Sequence, residues 1–486
     1  MIELKPGPLA GYYERLARVG RELRVDPRRF QLSDIVADES VLPLLVDAVA
    51  GDRPTRVVIA QDDVEILRGG VPVKPLARQL LADAGLDVEV VVFDGVEVHT
   101  EPARIDALRA RLRPGDTVIA LGSGVVADIT KQAVHDFEAD HGLLRLIVVQ
   151  TANSVCAFTS GMAVLTIDQV KRTVASRLPD QLLLDARLLA DAPRPYSDGG
   201  IGDASVAAVS FADYRLGHLL GLTAWEPRAW EIMRHPRCRF LARDPLLGRR
   251  DLAQAQAVAL DLAACGLAMT VAGESAPLSG LEHVTSHTLD MAARHHGRPV
   301  GNHGSQCALA TILSLIAWDV LLGVDGLALD PGRIDDAAEL AKVQAAFGPL
   351  DTDGAAWREC WSDYAAKIAA WRAHGDDVAA FVAAWPKHRE DLRRFTVKPA
   401  DFVAALAAAG HPLRWEDIPT GITEEMARWA FGNARLMRKR TSVADVLAFA
   451  GLWDDAFLDR VFDTYRRLTA PGTAQPLPTP PQQNSD

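Results

Sequence analysis

The chain of 486 residues is poor in cysteine, with five, and no two of them form a CxxC pair. Cys156, Cys238, Cys265, Cys307 and Cys360 are scattered and odd in number. That argues against a disulfide framework and an all-cysteine zinc site, and it fits reduced thiols in a cytoplasmic setting. A basic excess is missing too. The net charge is −12, so neither nucleic acid nor membrane is an expected partner. The first residues, "MIELKPGPLAGYYERLARVGREL", carry charges throughout and lack an apolar core, so no signal peptide is expected. The most apolar run, "CALATILSLIAWDVLLGV", is interrupted by Asp319 and is short for a bilayer; it reads as a buried helix. Internal repeats are absent. What is present is an ordinary globular composition, 49% apolar and 24% charged, long enough for two or three domains.

Residues 1–40 read as an N-terminal extension of helical character. Over 41–192, β-branched runs such as "TRVVIAQDD", "VEVVVFDG", "TVIALGSG", "LLRLIVVQT" and "DQLLLD" alternate with helical patterns. This alternation predicts an α/β domain built on a parallel sheet. From 193 to 468 the chain turns Ala- and Leu-rich with helical periodicity, which predicts a second, all-helical domain. The tail, 469–486, is rich in Pro, Gln and Thr and is expected to be disordered.

Two segments carry chemistry. In "TVIALGSGVVADITKQAV" a strand runs through Gly122, Ser123 and Gly124 into a helix. Glycines let a backbone approach a pyrophosphate, and the helix start offers free N–H groups to an anion. A tight turn needing glycine reads the same way, and the G-x-G-x-x-G fingerprint is not matched. In "SGLEHVTSHTLDMAARHHG" four of the chain's 13 histidines fall close together. His283 and His287 are four apart and share a helix face. Two neutral imidazoles and a carboxylate make a common catalytic metal set with a position left open. Asp203, in "GGIGDASVAAVSFADYRLG", is a candidate carboxylate. Taken alone, such a histidine pair is more often ordinary surface or core.

Several ordered segments together resemble the glycerol-1-phosphate dehydrogenase branch of the iron-containing alcohol dehydrogenase and dehydroquinate synthase superfamily. They are "GSGVVADITK", "TANSVCAFTSG", "VKRTVASRLPDQLLLD", "GIGDASVAAVSFADYRLGHLLG", "CGLAMTVAGESAPLSGLEHVTSHTLDM", "HGRPVG" and "ARLMRKRTSVADVLAFAGL". The resemblance implies a dinucleotide-binding α/β domain followed by an all-α domain, with the active site in the cleft between them. It implies NAD or NADP as cofactor, without choosing between them. It also implies one divalent metal, zinc foremost, with iron or nickel tolerated by the same ligands. Asp203, His283 and His296 would ligate the metal. His287 would relay a proton. Gly122, Ser123, Gly124 and Asp128 would line the cofactor phosphates, with Thr151 and Ser154 flanking the nicotinamide and Gln61 near the adenosine ribose. The partner would be a small-molecule polyol, or its ketone or aldehyde, and the chain would associate as a homodimer or higher homo-oligomer. A synthase that uses NAD transiently and a catalytically retired metal- and nucleotide-binding protein are the alternatives.

The pocket departs from that pattern. Cys156 stands where relatives have an acid, Ala207 where they have Lys, Ala276 where they have Arg, and Gln150 where they have Pro. Phosphate recognition loses two cations by these changes. Cys156 is therefore also a candidate catalytic group, although a nucleophilic role would need a nearby cation to depress its pKa.

Overall fold

The computed structural model describes residues 34–50, 56–95, 98–167, 170–242, 245–299, 301–350, 353–418 and 421–471. Its strands are Asp34–Asp38 (β1), Arg56–Asp62 (β2), Val88–Phe93 (β3), Asp116–Gly122 (β4), Arg145–Gln150 (β5), Met162–Ile167 (β6), Val170–Ala175 (β7) and Gln181–Asp185 (β8), besides a short hairpin at Leu67–Pro72. The helices that hold the sites and their supports are Val73–Asp83 (α1), Gly124–His141 (α2), Arg194–Ser205 (α3), Ser210–Leu219 (α4), Leu252–Ala272 (α5), Leu281–His295 (α6), His303–Gly323 (α7), Ala355–Ala373 (α8) and Val443–Phe449 (α9).

Six strands form one sheet in the order β1-β8-β5-β4-β2-β3, and every pairing in it is parallel. β4 is buried along its whole length, as its apolar run requires in a sheet covered on both faces. From β2 the chain steps outward to β3, then returns to the other side of β2 as β4. The carboxyl ends of β2 and β4 therefore lie at a reversal of strand order, where open α/β sheets bind ligands. Gln61 pairs in register with Leu121 there.

Contacts divide the chain into two compact units. The first contains the described residues up to Ala204 together with Arg228–Met233 and Arg249–Ser275. The second contains Ser205–Pro227, Arg234–Gly248 and the described residues from Ala276 onward. The units thus do not part at 192/193 as expected. The reason is α5, whose backbone is tied to the loops after β5. Asn153 Nδ2 donates to Ala255 O at 2.8 Å and Thr159 Oγ1 to Ala263 O at 2.7 Å. Thr270 Oγ1 accepts the Gly161 N–H at 2.9 Å.

A second difference is β1. Residues 34–38 were expected in a helical extension, but they form the sheet's edge strand, paired with β8 from Asp34↔Gln181 to Asp38↔Asp185. Ile35 is buried there. Residues 1–33 and 472–486, including most of the tail, lie outside the described residues. The apolar run anticipated as a buried helix lies within α7. Both α5 and α7 are long and apolar enough to cross a membrane, and each is mostly buried in the protein.

Candidate metal and nucleotide sites

In the first unit, β4 delivers the chain to α2 through Gly122 and Ser123. A Cβ at Gly122 would lie 2.5 Å from Val126 Cβ, and one at Gly124 would collide with Val155 Cγ2. The glycines are therefore required by packing as well as by any ligand. Ser123 is the N-cap of α2, and its side chain makes no capping hydrogen bond among the described residues. Its first N–H groups are left to an outside acceptor, a setting that suits a phosphate. Thr151 N–H donates to Gly122 O at 3.1 Å, which locks the next loop against this turn. In that loop Ser154 Oγ is buried without a partner among the described residues. A buried hydroxyl in that state wants a polar ligand. These features fit a dinucleotide.

Asp128 does not join them. Its Oδ2 accepts the Val164 N–H at 3.0 Å, and its Oδ1 lies 3.0 Å from Lys131 Nζ. Burial pushes the Asp128 carboxyl upward against the pull of Lys131. Lys131, fully buried, also donates to the carbonyls of Ala157, Ser160 and Met162. The pair organises the loop that carries Cys156, so the Asp128 carboxylate expected among the phosphate contacts is engaged with Lys131 and the Val164 N–H. Gln61 is partly buried at the end of β2. Its neighbour Asp62 is buried and held by Lys74.

Asp203 is buried in α3, and its Oδ2 accepts the Cys156 N–H at 2.8 Å. Burial and then the Asp203 carboxylate push the Cys156 thiol well up. A thiol beside an anion stays protonated, which is the reverse of what a nucleophile needs.

The second unit brings three donors together. α6 starts where Asp213 Oδ2 accepts the Leu281 N–H at 2.9 Å and Glu282 Oε1 accepts the Gly280 N–H at 2.7 Å. A side chain at Gly280 would run into both carboxyls. Glu282 Oε1 also lies 3.1 Å from His283 Nδ1. α7 packs along α6 and starts at His303, with Asn302 as N-cap accepting the Ser305 N–H at 3.1 Å. His303 Nδ1 lies 2.9 Å from Ser286 Oγ, whose own hydrogen goes to Gln306 Oε1 at 2.6 Å. Ser286 must then accept from Nδ1–H. In both histidines Nδ1 faces an oxygen, the usual outer-shell arrangement of a metal-ligating imidazole. Cys307, one turn beyond His303, is fully buried. Donor atoms of His283, His303 and Cys307 lie within 4.8 Å of one another. Burial pushes the Cys307 thiol up, but His283 and His303 outweigh it and the net shift is down. The chemistry of this donor set fits a divalent transition metal.

His287 is partly exposed on the same face of α6. Its ring stacks on His303 with centroids 5.3 Å apart, and its Nδ1 lies 3.4 Å from Arg438 Nη2. His296 is elsewhere. It is the exposed C-cap of α6, its N–H donates to Ala292 O, and its ring meets His295 at 5.1 Å. The structure thus places His303, and not the expected His296, beside His283. The signal for His303 was in the sequence: His–Gly occurs at both 296–297 and 303–304. Only the second follows an N-cap residue and opens a buried helix. Arg438 was also missed, because nothing local marks its closeness to α6.

Residues 41–193 match the model of the family described as iron-containing alcohol dehydrogenase. A protein of Bacillus subtilis named glycerol-1-phosphate dehydrogenase [NAD(P)+] is 26% identical over 301 residues, which is 61% of this chain and 74% of that protein. The protein of the same name in Caldivirga maquilingensis is 27% identical over 51% of this chain and 69% of its own length. That of Halorubrum lacusprofundi is 32% identical over 47% of this chain and 60% of its own. Among solved structures, a probable glycerol dehydrogenase from Sinorhizobium meliloti is similar with a TM-score of 0.52 at 16% identity, over 90% of this chain and 96% of the other. Glycerol dehydrogenase from Schizosaccharomyces pombe gives 0.51 at 16%, over 91% and 93%. The chain is related to these dehydrogenases in sequence and shares the fold of the solved ones, an α/β domain followed by helices.

Proposed function

We propose that the chain is a metal-dependent NAD(P)-linked dehydrogenase that interconverts a small polyol and its ketone or aldehyde. The observation that carries this reading is the group of His283, His303 and Cys307, whose donor atoms lie within 4.8 Å of one another. The names of the sequence relatives support the cofactor and the substrate class. In this reading His283 and His303 hold the metal, and Asp203 supplies the carboxylate. A metal bound there would stabilise an alkoxide, and the nicotinamide would exchange hydride with the same carbon.

The protein's own residues set up that exchange. Glu282 and Ser286 fix the histidine tautomers, and the Cys156 N–H orients Asp203. The Gly122–Ser123–Gly124 turn and the start of α2 bind the cofactor phosphates, Thr151 and Ser154 border the nicotinamide, and Gln61 meets the ribose. His287 carries the proton between substrate and solvent. Arg438 holds an anionic group of the substrate, in place of the cations lost at Ala207 and Ala276. The scattered free thiols suit a cytoplasmic protein.

The test is direct. Purified protein loaded with zinc should oxidise NADH or NADPH in the presence of dihydroxyacetone phosphate or dihydroxyacetone. Activity with neither, nor with a wider panel of small ketones and aldehydes, would overturn the reading.

A further inference from the structure

We infer that Cys307 is a ligand of the metal, as thiolate, so that the second unit alone supplies a Cys-His-His donor set. The inference rests on the proposed metal at His283 and His303 and goes beyond it by adding a sulfur donor. Cys307 Sγ lies 3.7 Å from His303 Nε2 and 4.0 Å from Nδ1, so it is nearer the nitrogen that faces away from Ser286. Tetrahedral zinc with Zn–S of about 2.3 Å and Zn–N of about 2.0–2.1 Å sets ligand atoms about 3.6 Å apart along an S···N edge. The observed spacing is that of two ligands of one ion. His303 and Cys307 are four apart on α7, hence on one helix face, and His283 faces them from α6 with its ring centroid 5.2 Å from that of His303. Cys307 is fully buried, so water does not compete for the sulfur. On binding, the S–H bond breaks, the proton leaves to solvent and a metal–sulfur bond forms, with no change of oxidation state. A thiolate makes the set softer and favours zinc over magnesium or manganese. The competing role for Cys307 is a packed thiol that only donates a hydrogen bond to His303.

X-ray absorption on the full chain loaded with zinc decides between these. The expected spectrum contains one sulfur at about 2.3 Å beside nitrogen and oxygen at about 2.0–2.1 Å. The sulfur shell should vanish in Cys307→Ala and persist in Cys156→Ala and Cys265→Ala. Zinc affinity, read by chelator competition, should fall roughly tenfold or more in Cys307→Ala. A wild-type spectrum with nitrogen and oxygen only overturns the inference and leaves the metal reading standing. So does a sulfur shell that survives in Cys307→Ala and is lost in Cys156→Ala. Zinc that fails to bind the wild type, or binds equally well in His303→Ala, overturns both. The wild-type spectrum decides even if a variant does not fold.

Discussion

At the scale of single residues, the metal pair was half legible. His283 announces itself by its place in a helix start and by its resemblance to a known motif. His303 does not, because two His–Gly dipeptides lie seven positions apart and local sequence favours neither. The backbone decides: one His–Gly ends α6 in solvent, the other opens α7 inside the core. His303→Ala should therefore lose bound metal and activity, whereas His296→Ala should keep both, as measured by elemental analysis and by NAD(P)H turnover. Arg438 gives a second test at this scale. A charged hydrogen bond contributes about 1.5–3 kcal/mol, so Arg438→Ala should raise KM for a phosphorylated substrate by roughly tenfold to a hundredfold at that magnitude. The value of kcat, and KM for the uncharged counterpart, should change little.

At the scale of elements, the strands were legible wherever β-branched residues run on. β1 was not, since "DIVAD" offers only three apolar residues between two aspartates, with Ile35 alone of the three buried, and its partner strand lies far along the chain. Asp128 shows the converse: a residue in a recognised motif whose carboxylate serves a lysine. The segment after α8 illustrates how buried charge positions an element. Lys367, buried in α8, donates to Asp445 at 2.9 Å and to Arg435 O at 2.6 Å. Asp445 in turn closes the capping box of α9 with Ser442. Arg435 pairs with Glu339 at 3.2 Å, and Tyr364 donates to the same Glu339 oxygen. Together they fix the stretch from Arg435 to Asp445 that carries Arg438. Lys367→Met would strand a buried Asp445 charge and should cost about 3–5 kcal/mol, read as a lower urea midpoint. Replacing Lys367 and Asp445 together by apolar residues should recover part of that loss.

At the scale of the whole molecule, stability should depend on pH through Asp213. It is buried and accepts from the N–H groups of Leu281 and Val443 and from Trp318 Nε1. Burial, then the Glu282 carboxylate, push its carboxyl up to about 8 despite those donors. Between the ordinary carboxylate range and about 8 the folded chain holds a proton that the unfolded chain has released. Its contribution is therefore complete in acid and is lost as pH rises through about 8. The stability difference between wild type and Asp213→Asn should fall over that window and level off above it, measured by urea unfolding across pH. A difference that stays flat would show that Asp213 ionises normally.

Asp185 gives the fold a timetable. Its carboxylate accepts the backbone N–H groups of Val41 and Leu42, the latter pair 143 positions apart in the chain. At ribosomal speeds of roughly 5–20 residues per second, the early partner waits on the order of ten seconds for the late one. The segment around Val41 leaves the ribosome long before the carboxylate that receives it exists, and α5, which the same unit needs, comes later still. During synthesis the sheet's first edge is exposed and unpaired, open to wrong neighbours. A nascent chain stalled before Gln181 should accordingly be the species that aggregates or recruits chaperones, while one stalled beyond Ala272 should not.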